Sequence, residues 1–220
     1  VPGGVKTRLT AALGAVGAAR LYRAFLEDAA RVYARDEWTP VLYSDSDPDD
    51  PTLASIFRPP WRRRKQAEGD LGRRLCEAFL AERGVERTAV AAVGSDHPTL
   101  ARAAVEELLA AIGRGLDVAV IPAQDGGYCA IALSGRVEPY AVFGEIPWSS
   151  DATLSATLDR LRERRLSVAV LDPAYDVDRP EDLERLRADL AARNPDEDDY
   201  PRSTATALAA LAAIASGLPA

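Results

Sequence analysis

The chain has 220 residues, a formal charge of −7 and 47% hydrophobic content, enough apolar material for one sizeable core. The acidic balance disfavours nonspecific attraction to nucleic acid or an anionic membrane. Two cysteines without a Cys-x-x-Cys spacing, Cys76 and Cys129, suggest a reduced cytoplasmic setting with both thiols buried, and the single His97 excludes a multi-histidine metal site within one chain.

From the amino end, Pro2-Gly3-Gly4-Val5-Lys6-Thr7-Arg8-Leu9 places two glycines before a Lys and an Arg at the entrance to a helix. Glycines let backbone approach a phosphate closely, and the two cations can neutralise charge on a leaving diphosphate. The plainer alternative is a flexible start carrying two surface cations. Thr10 to Arg35 follows as a long helical pattern in which Leu21, Phe25, Ala29 and Val32 share a face. Pro40 to Tyr43 reads as a short strand and the acidic Ser44 to Pro51 as a loop. Residues 52–65 read as irregular, ending in Pro59-Pro60-Trp61 and Arg62-Arg63-Arg64-Lys65. Those four cations suit phosphate or an acidic partner, but without a further basic and aromatic pattern a solvated loop is expected.

Gly69-Asp70-Leu71-Gly72-Arg73-Arg74-Leu75 opens a helix running to Arg83, with Asp70 placed to cap it. An apolar run, Thr88 to Val93, then leads directly into Gly94-Ser95-Asp96-His97-Pro98 and a helix expected over Thr99 to Ile112. Asp96 thus stands at the carboxyl end of a buried strand, where open α/β sheets bind ligands and where one carboxylate can hold Mg²⁺ against a phosphate. The competing role is a cap for the next helix. Strands at Asp117 to Ile121 and Tyr128 to Leu133 are joined by Gln124-Asp125-Gly126-Gly127. Hairpin chemistry explains the glycines, and Asp125 is left where an acceptor or cation can meet it.

A helix over Ser155 to Arg164, a strand over Ser167 to Leu171 and a helix over Pro180 to Ala192 complete the pattern. Between the last two lies Asp176-Val177-Asp178-Arg179-Pro180-Glu181-Asp182-Leu183. Capping accounts for Asp178 there, while Asp176 is left over as a second metal carboxylate. The β-α-β-β-α-β order predicts a single α/β domain over residues 1–193, Rossmann-like, with a mainly parallel sheet and mixed pairing around Tyr128 to Leu133. Residues 194–220, an acidic linker at Asp196 to Asp199 and an Ala-rich segment from Ser203, read as a weakly helical or partly disordered appendage. The apolar stretch Ala205 to Leu218 falls short of the ~20 residues of a spanning helix, so no membrane association is expected.

Six of these segments, in this order, resemble the DUF2064 family: Gly-x-Val-Lys-Thr-Arg-Leu, Gly-Asp-Leu-Gly-x-Arg-Leu, Gly-Ser-Asp-x-Pro-x-Leu, Asp-Gly-Gly-Tyr, Ile146-Pro147-Trp148-Ser149 and Asp-Val-Asp-x-Pro-Glu-Asp-Leu. The likeness covers about residues 2 to 192. It implies the GT-A, or nucleotide-diphospho-sugar transferase, fold and a similarity to phospholactate guanylyltransferases. Carried over residue by residue, it implies a nucleotide site at Gly3, Gly4, Lys6, Arg8, Gly69, Asp70 and Ser95. It further implies an acceptor side at His97, Gly126, Gly127, Tyr128 and Trp148, catalytic roles for Asp96 and Asp125, and Mg²⁺ or Mn²⁺ on Asp96, Asp176 and Asp178. His97 departs from the small residue usual at that place.

The family also carries a hydrophobic strand before the Pro-Gly segment, and here only Val1 precedes Pro2. An upstream start is therefore expected, and without it a central strand is missing and sheet edges are exposed. The function expected is metal-dependent transfer from a nucleotide-diphospho-sugar donor to a small-molecule acceptor. Nucleotidyl transfer to a small phosphorylated acid with release of pyrophosphate is the alternative, and a non-catalytic nucleotide-binding or partner protein is a third reading. The apolar tail and an unpaired edge are compatible with a homodimer.

Overall fold

The computed structural model describes residues 2–85 and 88–215; Val1 and the end of the apolar tail lie outside them. In order, the elements are α1 (Thr10–Val32), β1 (Val41–Ser44), α2 (Pro51–Ile56), β2 (Arg62–Lys65), α3 (Leu71–Arg83), β3 (Val90–Val93), α4 (Arg102–Gly113) and β4 (Val118–Pro122), continuing with β5 (Tyr128–Leu133), α5 (Pro139–Phe143), α6 (Thr153–Glu163), β6 (Val168–Val170), α7 (Pro180–Ala192) and α8 (Arg202–Ala215). A single 3-10 turn, Thr7–Leu9, precedes α1.

The described strands fall into two sheets, β1-β2 and β3-β5-β4-β6. The pairing is mixed where the sequence places it, around Tyr128 to Leu133: β1–β2 and β4–β6 are parallel, while β5 is antiparallel to both β3 and β4. The cause is the tight Asp125-Gly126-Gly127 connection, which returns the chain beside β4 and slots β5 between two strands of like direction. As a result β3, β4 and β6 all point their carboxyl ends the same way.

Burial on both faces explains why β4 and β5 read as continuous apolar runs. Val118, Val120, Ile131 and Leu133 pack with Phe79, Val142, Phe143 and Leu161 from α3, α5 and α6. On the other face Ala119, Ile121, Ala130 and Ala132 meet Leu108, Ala111 and Ile112 of α4. A third cluster joins Leu21 and Phe25 of α1 to Leu183 and Leu186 of α7 and Leu208 of α8.

Two expectations fail here for one reason, that contacts distant in sequence supply the order. Residues 62–65, expected as irregular, form β2 because the parallel ladder with Val41 to Ser44 holds them. Arg63 turns inward to donate from Nε to the Pro48 carbonyl at 2.7 Å and from Nη1 to Phe57 at 2.8 Å. Arg64 pairs with Glu82 of α3 at 2.8 Å. The cationic edge strand also repels a further strand.

The described part of the Ala-rich tail, α8, is likewise a packed helix and not an appendage. Asp28 of α1, 2% exposed, accepts the backbone N–H groups of Ser203 at 3.0 Å and Thr204 at 2.8 Å and so caps α8 from another element. Gly17 permits the close approach, since a Cβ there would stand 3.1 Å from Leu211. The acidic linker makes similar contacts, for Asp199 accepts from the Arg102 N–H at 3.0 Å, capping α4, and pairs with Arg193 at 2.8 Å.

Candidate active site

Lys6 has a left-handed backbone, φ 48 and ψ 45, and opens the 3-10 turn that Leu9 N–H closes onto the Lys6 carbonyl at 2.9 Å. Leu9 is fully buried and anchors the turn, which throws Lys6 inward and Arg8 outward: their side chains are 4% and 64% exposed. The Lys6 ammonium lies 2.8 Å from Asp96 Oδ1 and 3.8 Å from Asp178 Oδ1, and 5.9 Å over the Tyr22 ring. Arg8 pairs with the other oxygen of Asp178. The first helical stretch is broken at Gly14, whose φ of 68 and ψ of 163 only glycine adopts readily, so the cationic turn is set off from the helix behind it. Gly3 and Gly4 sit exposed on the turn before Val5.

At the end of β3, Gly94 lacks a Cβ where one would come 2.8 Å from His97 Nε2. His97 Nδ1–H donates to the Tyr175 carbonyl at 3.0 Å, and the Val177 N–H donates to the Asp96 carbonyl at 2.9 Å. These two bonds stitch the loop after β3 to the segment after β6 and bring Asp96 and Asp178 to one ammonium. Ser95 Oγ meets Tyr22 Oη at 2.9 Å.

Neither carboxylate is taken up in capping the helix that follows it. The α4 terminus is capped by Asp199. The N–H groups of Asp178 and Arg179 donate to Asp182 at 3.0 and 2.6 Å, leaving the Asp178 side chain to Lys6 and Arg8.

A second group lies at the β4–β5 turn. Asp125 Oδ1 accepts the Gly127 N–H at 2.9 Å, and Gly126, at φ 91, faces the Asp151 carbonyl so closely that a Cβ would stand 2.2 Å away. Burial, and then the negative charge of Asp125, raise the Asp176 carboxyl above its ordinary pKa, with His97 opposing. Of the anticipated metal trio, Asp96 and Asp178 meet at the Lys6 ammonium, and among the described residues the three do not gather into one cluster. Arg185 of α7 stacks over Tyr175 at 3.8 Å and donates to Gln124, which ties α7 to this turn.

Tyr128 and Trp148 meet edge to face with centroids 6.1 Å apart, and both pack against the α3/α5/α6 cluster. Gly72 makes room for Trp148, since a Cβ there would stand 2.4 Å from Nε1. Asp70 caps α3 by accepting the Arg73 N–H at 2.8 Å, and Gly69 before it has φ 115. Tyr22 and Arg185 do not stand out in the sequence. Tyr22 adjoins the Leu21/Phe25 stripe and looks like helix surface, and Arg185 sits among ordinary helical charges.

Among the described residues no three His, Cys, Asp or Glu side chains gather into a metal cage. Asp96 and Asp178 nonetheless present hard oxygens to one stand-in cation, the Lys6 ammonium. Two carboxylates are what Mg²⁺ usually takes from protein before phosphate and water complete its shell. The pair fits that ion.

The inward Lys6 of the amino-terminal turn meets aspartates from the segments after β3 and β6, on an α/β fold that resembles a nucleotide-diphospho-sugar transferase. A solved structure from Desulfovibrio desulfuricans G20, provisionally assigned as a nucleotide-diphospho-sugar transferase, superposes with a TM-score of 0.83 at 28% identity over 96% of this chain and 93% of that one. The solved CMP:2-keto-3-deoxy-manno-octonic acid synthetase with CTP is a more distant likeness of fold, with a TM-score of 0.50 and 16% identity over 78% of this chain and 88% of that one. No protein of curated function matches the chain. The chain belongs to the DUF2064 family, described as an uncharacterized protein conserved in bacteria, whose model matches residues 28–150. Among the described residues no helix is long and apolar enough to cross a membrane.

Proposed function

We propose that the protein is a divalent-cation-dependent transferase that moves a group from a nucleotide-diphospho-sugar to a small-molecule acceptor. The observation that carries this reading is the convergence of Lys6, Arg8, Asp96 and Asp178 at the carboxyl ends of β3 and β6. Its similarity to the provisionally assigned transferase supports it.

Lys6 and Arg8 would hold the diphosphate and neutralise charge as the nucleotide leaves. Asp96, with Asp178, would hold Mg²⁺ or Mn²⁺, which supplies Lewis-acid stabilisation of the leaving phosphate. Asp125 is exposed, with one carboxylate oxygen engaged in its own turn, and its second oxygen is the candidate base for an acceptor hydroxyl. The Tyr128–Trp148 pair would wall the acceptor side.

Nucleotidyl transfer is the second reading, favoured by two cations in one turn, which suit a triphosphate. A thermal-shift panel of nucleoside triphosphates and nucleotide sugars with Mg²⁺ or Mn²⁺ tests both. A ligand at 100 times its dissociation constant adds about 2.7 kcal/mol. The expected result is a cation-dependent shift lost in Asp96→Ala, and pyrophosphate release separates the two chemistries. No shift with any ligand on the folded protein would refute both and leave the non-catalytic reading.

A further inference from the structure

Three features make the Lys6 environment unusual. The ammonium is almost wholly buried in a left-handed backbone turn. It is in ionic contact with Asp96 at 2.8 Å, and among the described residues no acceptor meets its N–H bonds at hydrogen-bonding angles. The described ion pairs also balance, with Lys6 and Arg8 against Asp96 and Asp178, two positive charges on two negative.

A divalent cation brought to Asp96 in that state would stand against the ammonium and leave a net charge of about +2 in a partly desolvated site, where like charges repel strongly. A nucleotide phosphate reverses the balance. It offers Lys6 an alternative anion and supplies further oxygens to the ion.

We infer that Lys6 is the resident counter-ion of the Asp96/Asp178 pair in the ligand-free protein, so that Lys6 and the divalent cation exclude one another until a nucleotide phosphate draws the ammonium away. Cation binding is then conditional on the nucleotide, and the order of addition is nucleotide first. This rests on the proposed reading that Asp96 holds the ion. It adds that Lys6 gates that ion as well as touching phosphate. Lys6 exclusion predicts a gain of function on mutation, which a purely phosphate-binding lysine does not.

The test is a titration of Mn²⁺ into the ligand-free full chain, free Mn²⁺ being read by electron paramagnetic resonance. Wild type, Lys6→Met, Lys6→Gln, Lys6→Arg and the double variant Lys6→Met/Asp96→Asn are compared, each checked for a cooperative melt. Lys6→Met and Lys6→Gln are expected to bind Mn²⁺ at least ten times more tightly than wild type. Lys6→Arg, which keeps the charge, should not, and the double variant should lose the gain. Separate arms add ADP, GDP, CDP or UDP to wild type and should raise its Mn²⁺ affinity.

Folded Lys6→Met and Lys6→Gln that bind Mn²⁺ no better than wild type would overturn the inference, even if a nucleotide raises wild-type affinity. Tighter binding that persists without Asp96 would overturn it too. A gain in the neutral variants with no nucleotide effect on wild type would uphold the counter-ion role but overturn the nucleotide-first order, and it would count against the proposed function as well.

Discussion

Replacing Asp28 with Ala removes the acceptor that holds α8 to α1. The carboxylate accepts two backbone N–H groups, from Ser203 at 3.0 Å and Thr204 at 2.8 Å, at a site only 2% exposed. Loss of a helix cap costs about 1 kcal/mol. A buried donor left without a partner adds about 1–3 kcal/mol. Arg31, 3.7 Å away and partly exposed, adds little, because solvent screens that pair. The sum is about 3 kcal/mol, and at about 2–4 °C per kcal/mol for a domain of this size the midpoint should fall by about 6–12 °C. Asp28→Asn keeps one acceptor oxygen and should lose about half as much. Thermal unfolding followed by circular dichroism measures both, and amide exchange over 203–212 should quicken in the Ala variant. A midpoint within about 1 °C of wild type would refute the claim that Asp28 anchors the C-terminal helix.

The other predictions follow from the site. Gly126→Ala should cost at least about 2 kcal/mol in a denaturant melt, because φ 91 disfavours any Cβ and this one would press on the Asp151 carbonyl; an unchanged midpoint would count against that packing. Asp176 has a raised carboxyl pKa in the fold, so the stability it contributes is present below the unfolded value and lost as pH rises through the folded one. Asp176→Asn should therefore gain on wild type between pH 3 and pH 7, and a gap that does not change with pH would contradict the raised value. Burial pushes the Cys129 thiol up to about 12, so a disulfide reagent at pH 8 should label Cys129 only on unfolding, as read by mass spectrometry. Rapid labelling of the native protein would refute the burial.

Strand and helix periodicity carries most of the elements. The apolar runs at β3, β4 and β5 and the stripes of α1, α3, α6 and α7 are legible because burial on fixed faces writes itself into local spacing. So is the concentration of Asp96, Asp125, Asp176 and Asp178 at strand ends, since each follows an apolar run. Local spacing carries no information about partners far along the chain. It assigns Asp178 to a cap, although its side chain goes to Lys6 and Arg8, and it offers Asp96 a cap that Asp199 supplies to Arg102 across 97 residues.

The same limit hides β2, whose four cations are a strand only because β1 pairs with them. It also hides α8, whose terminus is satisfied by Asp28 from 175 residues away. The strand directions depend on a turn that returns β5 beside β4 and so inserts it between β4 and β3. Composition and spacing thus determined which residues could be buried and where carboxylates would cluster. Only the tertiary structure decided which cation each carboxylate meets, because a side chain's partner is set by the packing of distant elements and not by its neighbours in sequence.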